Sequence, residues 1–187
     1  MDLYQTELES PVGIIYLVSD SAGLRGVDYS GNEQRLQKFL ERYYGPYVLH
    51  ANRLVTDAAI RLQSYFAGDI HAVDGITVAT KGTDFQEQVW QALRTIPAGT
   101  TVSYSAIARQ IGRPSACRAV GLANGSNPIN IFVPCHRVIG ANQKLTGYGG
   151  GLPRKEWLLA HERTNVVVEH APQPRDLFSN LAPLINS

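Results

Sequence analysis

SYSAIARQIGRPSACRAVGLANG, Ser103–Gly125, decides the fold of the second half of the chain. Its spacing predicts a short helix over Ser103–Ile111, with Ile107, Ala108 and Ile111 inward. Gly112-Arg113-Pro114 then makes a tight turn, and Pro114 suits the first position of a second helix. That helix is expected over Ser115–Asn124, with Ala116, Ala119, Val120 and Ala123 inward. Two short helices joined by a glycine-containing turn match the helix-turn-helix pattern.

Outward from this stretch, Asp84 is read as the cap of a helix that buries Phe85, Val89, Trp90, Leu93 and Ile96, ended by Pro97-Ala98-Gly99. Downstream, Gly125-Ser126-Asn127-Pro128 reads as a turn and Ile129–Val133 as a short apolar segment leading into Pro134-Cys135-His136-Arg137-Val138. Gly147-Tyr148-Gly149-Gly150-Gly151 reads as a flexible loop. Pro153 then opens a helix through His161, packed by Trp157, Leu158 and the Ala160 side.

The first eighty residues carry a different pattern. Tyr4–Glu9, Ile14–Ser19 and Leu24–Tyr29 read as strands of an antiparallel meander, with Ser10-Pro11-Val12-Gly13 as a turn. Asn32 is expected to cap a helix over Glu33–Tyr44 with Leu36, Phe39, Leu40 and Tyr43 on one face. A second helix fits Val55–Phe66, stopped by Gly68, and Gly68–Lys81 is read as a strand and a connection. Composition and charge change near Lys81-Gly82. The expected class is therefore α/β (α+β): a small N-terminal antiparallel sheet with helices over 1–82, then a mostly helical domain over 83–165. Residues 166–187 form a tail, whose Leu177, Phe178, Leu181, Leu184 and Ile185 suggest weak amphipathic turns.

Composition narrows the class further. At 187 residues, 44% hydrophobic and 18% charged, the chain has the make-up of a globular protein and not of a disordered one. Its apolar runs are too short for a membrane span, and MDLYQTELES lacks the basic and apolar regions of a secretory signal. Two cysteines make neither a disulfide scaffold nor a four-cysteine zinc site, so a cytoplasmic location is expected. The net charge of +1 hides an asymmetry. Residues 1–82 hold seven Lys/Arg against ten Asp/Glu, a net of −3; residues 83–187 hold ten against six, a net of +4. No acidic residue falls between Glu87 and Glu156. A cationic stretch around a helix-turn-helix suits nucleic acid.

Cys135 is the candidate nucleophile. A thiol attacks as the thiolate, which neighbouring cations favour, and His136 and Arg137 adjoin it. Free cysteines are often inert core residues, but this one stands among polar and cationic neighbours. His136 reads as a general base, a metal ligand or a packed histidine. The other histidines show no ligand spacing with it. On a strand, adjacent side chains point oppositely, so pairing with Cys135 would need a turn or a bridging water. Glu162 near His136 could orient the imidazole, although its spacing alone favours a surface charge.

Pro134-Cys135-His136-Arg137-Val138 resembles the active-site pentapeptide of the O6-alkylguanine-DNA alkyltransferases, the methylated-DNA–protein-cysteine methyltransferases. The resemblance extends over Thr83–Glu162, through Tyr104-Ser105-Ala106-Ile107-Ala108, Arg118-Ala119-Val120-Gly121, Asn124-Gly125-Ser126-Asn127-Pro128, Leu145-Thr146-Gly147-Tyr148 and Arg154-Lys155-Glu156-Trp157-Leu158-Leu159. Ser10-Pro11-Val12-Gly13 and Ser64-Tyr65-Phe66-Ala67-Gly68 are similar to the N-terminal part of the stand-alone bacterial Ogt type.

The resemblance implies DNA repair by direct reversal. An alkyl group leaves O6 of guanine in duplex DNA, with O4-alkylthymine as a further candidate, and moves irreversibly to Cys135 after base flipping. Each molecule acts once. His136 would take the thiol proton through water, backed by Glu162, and Tyr104 would donate to the departing guanine. Arg118 would fill the gap in the helix, with Ser115 and the small residues Ala119, Gly121 and Ala123 letting the recognition helix approach the minor groove. Tyr148 would wall the base pocket, the carbonyls of Cys135 and Val138 would read the guanine amino group, a Gly149 N–H could donate to O6, and Asn127 would hold the turn before Cys135. Neither a cofactor nor a metal is implied. The partner is double-stranded DNA, with protein–protein contacts along it as a further candidate.

Three positions depart from familiar members: Cys117 replaces alanine, Asn130 replaces proline and Gly149 replaces serine. Other readings fit less well. A lesion sensor of this kind lacks the cysteine. A sequence-specific regulator needs polar base-reading side chains on Ser115–Asn124, and a cysteine hydrolase needs an oxyanion hole and turnover.

Overall fold

The computed structural model describes residues 1–51 and 56–166. The expected amphipathic tail segment at 177–185 lies outside the described residues.

Three strands, β1 (Asp2–Leu8), β2 (Ile15–Asp20) and β3 (Gly23–Tyr29), form the expected antiparallel meander. Alternation drives it: Leu3, Leu8, Ile15, Leu17, Leu24 and Val27 are all buried. A fourth strand, β4 (Val48–Ala51), adds parallel to β1 and makes the sheet mixed, in the order β3-β2-β1-β4. The sequence reading missed β4 because all four of its residues are exposed and show no alternation. The strand expected within 68–81 reduces to a single bridge between Leu24 and Val78.

Helix α1 (Glu33–Tyr44) has the expected limits and buries Leu36 and Leu40. Its Asn32 stands at the N-cap position but makes no side-chain cap bond; the amide is used elsewhere. Helix α2 (Asp57–Phe66) starts after Thr56, whose hydroxyl accepts from the Ala59 N–H. In α3 (Asp84–Leu93) the cap is Thr83 and not Asp84. Thr83 and Gln86 form a reciprocal capping box.

The helix-turn-helix is α4 (Tyr104–Gln110), capped by Ser103, followed by α5 (Cys117–Gly125). The second helix begins two residues later than its sequence suggests. Pro114 and Ser115 lie in the preceding turn. Val120 and Ala123 face inward, whereas Ala119 is exposed. After α5 the chain makes buried turns, a single 3₁₀ turn at Cys135–Arg137, and strand β6 (Val138–Ile139), which pairs parallel with β5 (Val102–Ser103). Helix α6 (Leu152–Asn165) closes the described chain with Pro153 in its first turn.

One apolar cluster draws on both sides of Gly82, including Val27, Leu62 and Tyr65 with Leu93, Ile107, Val120 and Leu158. Backbone bonds tie the halves directly. Val27 N–H donates to Pro128 O at 2.7 Å, and Asn130 N–H donates to Val27 O at 3.1 Å. The segment before Cys135 is thus laid along β3.

Candidate active site

The Cys135 thiol is positioned by the turns before it. Ile131, a buried β-branched residue, holds φ at 72°, in the left-handed region that such side chains rarely adopt. Val133 O then accepts the Cys135 N–H at 2.8 Å, and Pro134 O accepts the Arg137 N–H at 3.0 Å. The 3₁₀ turn removes the strand geometry that would have sent Cys135 and His136 to opposite faces.

Cys135 is 1% exposed. Asn127 Nδ2 donates to its Sγ at 3.0 Å, and the thiol faces Asn130 Oδ1 at 3.7 Å. Asn127 also donates to Val133 O at 2.8 Å and accepts from Ile129 N–H, so it pins the turn and the sulfur together. Burial pushes the thiol pKa up, against the pull of the Asn127 amide. A thiol in this setting is protonated at neutral pH and needs a base.

The candidate base follows Cys135 directly in the 3₁₀ turn. His136 is fully buried, and its Nε2 lies 2.8 Å from Glu162 Oε1. Burial pushes the Glu162 carboxyl up, but donors from His136 and Arg137 outweigh it and hold the group well below the usual carboxylate range. An ionised carboxylate only accepts, so Nε2 carries the proton and Nδ1 presents its lone pair. Nδ1 is buried without a hydrogen-bond partner among the described residues. Burial also pushes the imidazole pKa down, more than Glu162 raises it, which keeps the ring neutral. Glu162, expected from spacing at the surface, is thus a buried orienting group. Arg137 supports it through Nε at 2.9 Å to Oε2 and Nη2 at 2.8 Å to Oε1.

A second group of residues surrounds the 146–151 loop. Lys155 is completely buried, and its ammonium donates to Val138 O at 2.6 Å, Thr146 O at 2.7 Å and Gly147 O at 3.3 Å. Burial lowers its pKa to about 8. Tyr104 is half-buried and donates to Thr146 O at 3.1 Å. Tyr148 meets the His136 ring edge-on at 6.4 Å, and its hydroxyl bonds to Tyr29 at 2.7 Å. Gly149 O accepts from Asn32 Nδ2. A Cβ on Gly150 would sit 2.4 Å from the Tyr29 ring and 2.6 Å from the Tyr148 ring, so only glycine fits. The loop, expected as flexible, is packed against β3 and α1 by these contacts.

The structure therefore gathers Cys135, His136, Glu162, Asn127, Val138, Tyr148, Tyr104 and Gly149 around one turn and one loop. On α5, Arg118 and Ala119 are exposed, as is Ser115 just before the helix, and Gly121 lies beside the Tyr104 ring. Ala123 is different: it is 3% exposed and its carbonyl accepts from Trp90 Nε1, so it belongs to the core and not to the open face. Cys117 is exposed and free. Asn130 is occupied with Val27 O and Asp28.

The family model for the 6-O-methylguanine DNA methyltransferase DNA-binding domain matches residues 84–164. Over 163 residues the chain is 44% identical to the methylated-DNA–protein-cysteine methyltransferase of Shigella flexneri, covering 86% of this chain and 95% of that protein. The chain belongs to the methylated-DNA–protein-cysteine methyltransferase family. The family's protein from Mycobacterium bovis is 46% identical over 178 residues, or 94% of this chain and 98% of its own. The crystal structure of the Mycobacterium tuberculosis O6-methylguanine methyltransferase superposes with a TM-score of 0.71 at 39% identity, covering 89% of this chain and 96% of that one. The M. tuberculosis OGT in complex with DNA gives the same TM-score at 40% identity, over 88% and 94% of the two chains. The family and the α/β class expected from the sequence are both borne out.

Sequence reasoning gave no role to Lys155, Asn124 or Tyr65. Asn124 Nδ2 donates to Cys135 O at 3.3 Å. A signal for Lys155 was present: Lys155, Leu158, Leu159 and Glu162 share the i, i+3, i+4, i+7 spacing of one helix face. That face is the buried one of α6, while Ala160, expected inward, is exposed.

Proposed function

We propose that Cys135 accepts the alkyl group of O6-alkylguanine from duplex DNA, once per molecule, and that the chain does this in the cytoplasm as direct-reversal DNA repair. The observation that carries the reading is the buried Cys135 beside a His136–Glu162 pair whose free nitrogen is Nδ1. The sulfur attacks the alkyl carbon, the carbon–O6 bond breaks, and a thioether forms. The thiol proton passes through a bridging water to His136 Nδ1, leaving an imidazolium that the Glu162 carboxylate stabilises. The guanine leaves as its 6-oxo anion and takes up a proton on the ring, balanced by the proton that His136 returns through solvent; the Tyr104 hydroxyl, kept protonated because burial raises its pKa, is suited to hydrogen-bond to the base while that charge develops.

Such a site is closed to a base within the stack, so the base must be flipped out. Arg118 on the exposed face of α5 is suited to occupy the gap, and Ser115, Ala119 and Gly121 are small enough for close approach to the minor groove. Tyr148 lies over the pocket wall. Val138 O, already bonded to Lys155, retains a lone pair for the guanine amino group. Lys155 organises the surrounding carbonyls, donating to Val138 O, Thr146 O and Gly147 O.

The test is intact mass after mixing with a duplex that carries one O6-methylguanine. The wild type should gain one methyl group, less the thiol proton, on the Cys135 peptide, saturating at one per molecule. Cys135→Ala should gain nothing. Tight lesion binding without a mass gain would overturn the proposal in favour of a sensor.

A further inference from the structure

Glu162 Oε1 is the most heavily used acceptor at the site. It takes His136 Nε2 at 2.8 Å, Arg137 Nη2 at 2.8 Å and Nε at 3.2 Å, and also the Tyr65 hydroxyl at 3.0 Å. Tyr65 is fully buried and comes from α2, some seventy residues before the catalytic turn in sequence. Its ring is held between Phe66, at 5.3 Å, and His161, at 5.1 Å, and its own carbonyl is bonded to His161. We propose that Tyr65 is a positioning residue: by donating to the oxygen that receives His136, it sets how strongly Glu162 raises the basicity of the imidazole. This rests on the proton-acceptor role of His136 given above.

The physical argument is competition for one oxygen. Each donor on a carboxylate withdraws charge from it and weakens its other bonds. Without the phenol, Glu162 would hold the Nε2 proton more tightly and stabilise the imidazolium. The base would become stronger, and its protonation in acid would begin at higher pH. The other polar groups around this pair are Arg137 on the catalytic turn, Lys155 and His161 on α6, Tyr29 on β3, Cys135, Tyr148 on the loop, and the Gly99 N–H, which donates to Oε2 and not to Oε1. None of them donates a second hydroxyl to Oε1 among the described residues, so Tyr65 is the neutral donor whose removal leaves the charges unchanged.

The experiment is single-turnover methyl transfer from an O6-methylguanine duplex, followed from pH 5 to 9, for wild type, Tyr65→Phe and a protein with 3-fluorotyrosine at position 65. The acid limb of the Tyr65→Phe profile should move up by about half a pH unit, roughly threefold in the proton equilibrium. Fluorotyrosine, a stronger donor of similar size, should move it down. The opposite signs separate tuning from packing, because a purely structural role would lower the melting temperature and leave the limb in place. Superimposable limbs in all three proteins would overturn the inference while leaving the alkyl transfer itself intact. If Tyr65→Phe does not fold, the fluorotyrosine protein alone decides. Absence of transfer by the wild type would instead refute the function on which the inference rests.

Discussion

Lys155 shows how a single residue can organise a site without taking part in its chemistry. Its ammonium bridges Val138 O, next to the catalytic turn, and the carbonyls of Thr146 and Gly147, which carry Tyr148. Each bond from a charged donor is worth about 1.5–3 kcal/mol, but burying the charge offsets much of the sum. Lys155→Met keeps the length and volume and takes the charged donor from three carbonyls, leaving the Tyr104 hydroxyl on Thr146 O and Gly147 O and no side-chain donor on Val138 O among the described residues. It should cost about 2–3 kcal/mol of stability and slow methyl transfer at least tenfold. Urea unfolding, with amide exchange across 145–149, checks this; unchanged exchange in the loop would show that Lys155 does not hold it. Cys135 and His136 were legible in the sequence because their chemistry is rare and adjacent. Glu162 came from the family resemblance and not from its spacing, and Lys155 was given no role, because apolar periodicity counts a charged residue as solvent-facing, and on α6 both ends of the buried line are charged. Tyr65 was hidden for another reason: its partner lies 97 residues away, and no local pattern reports such a contact.

Among the elements, the recognition helix departs from its expected limits in an instructive way. The sequence predicts a start at Ser115, straight after Pro114, yet α5 begins at Cys117. This puts Arg118 at the second helical position, exposed, one turn before the exposed Leu122. The outward face is therefore an arginine followed by small or apolar groups, with no set of polar side chains to read bases. It suits insertion without sequence preference. Arg118→Ala should weaken methyl transfer from duplex DNA by roughly thirtyfold, about 2 kcal/mol, because the extruded base loses the group that holds its place. Transfer from free O6-benzylguanine, which needs no flipping, should be unchanged. Equal loss on both substrates would place Arg118 in the chemistry or the fold instead. Helices with strong periodicity, such as α1, had their limits written in the sequence. Strand β4 and the caps did not, since a short exposed strand shows no alternation and Thr83 competes with Asp84 as a cap through a box that needs Gln86 in place.

At the scale of the whole molecule, the His136–Glu162 pair is also a structural junction. Glu162 on α6 receives Tyr65 from α2, Gly99 N–H from the turn after α3, and His136 and Arg137 from the catalytic turn, while Arg137 Nη1 reaches Ile96 O. The segments on both sides of Gly82 therefore meet at one carboxylate, and its ionisation is coupled to folding. The sign follows from proton binding. The folded-state pKa of Glu162 is depressed, so below the ordinary value of 4.5 the unfolded chain binds the proton first and stability is lost as pH falls. His136 acts in the same direction over a higher window. Its folded pKa lies below 6.5, the unfolded chain again binds the proton first, and stability declines from pH 6.5 downward. Each group contributes a slope of up to about 1.4 kcal/mol per pH unit within its window. Urea unfolding should show stability falling gently from pH 6.5 and more steeply below 4.5. In Glu162→Gln the steeper part should flatten, because the amide has no proton to take up, while the variant should be less stable than wild type at pH 7, having left Arg137 without its counter-charge. The same slope in both proteins below pH 4.5 would mean that other carboxylates, and not this junction, govern unfolding in acid.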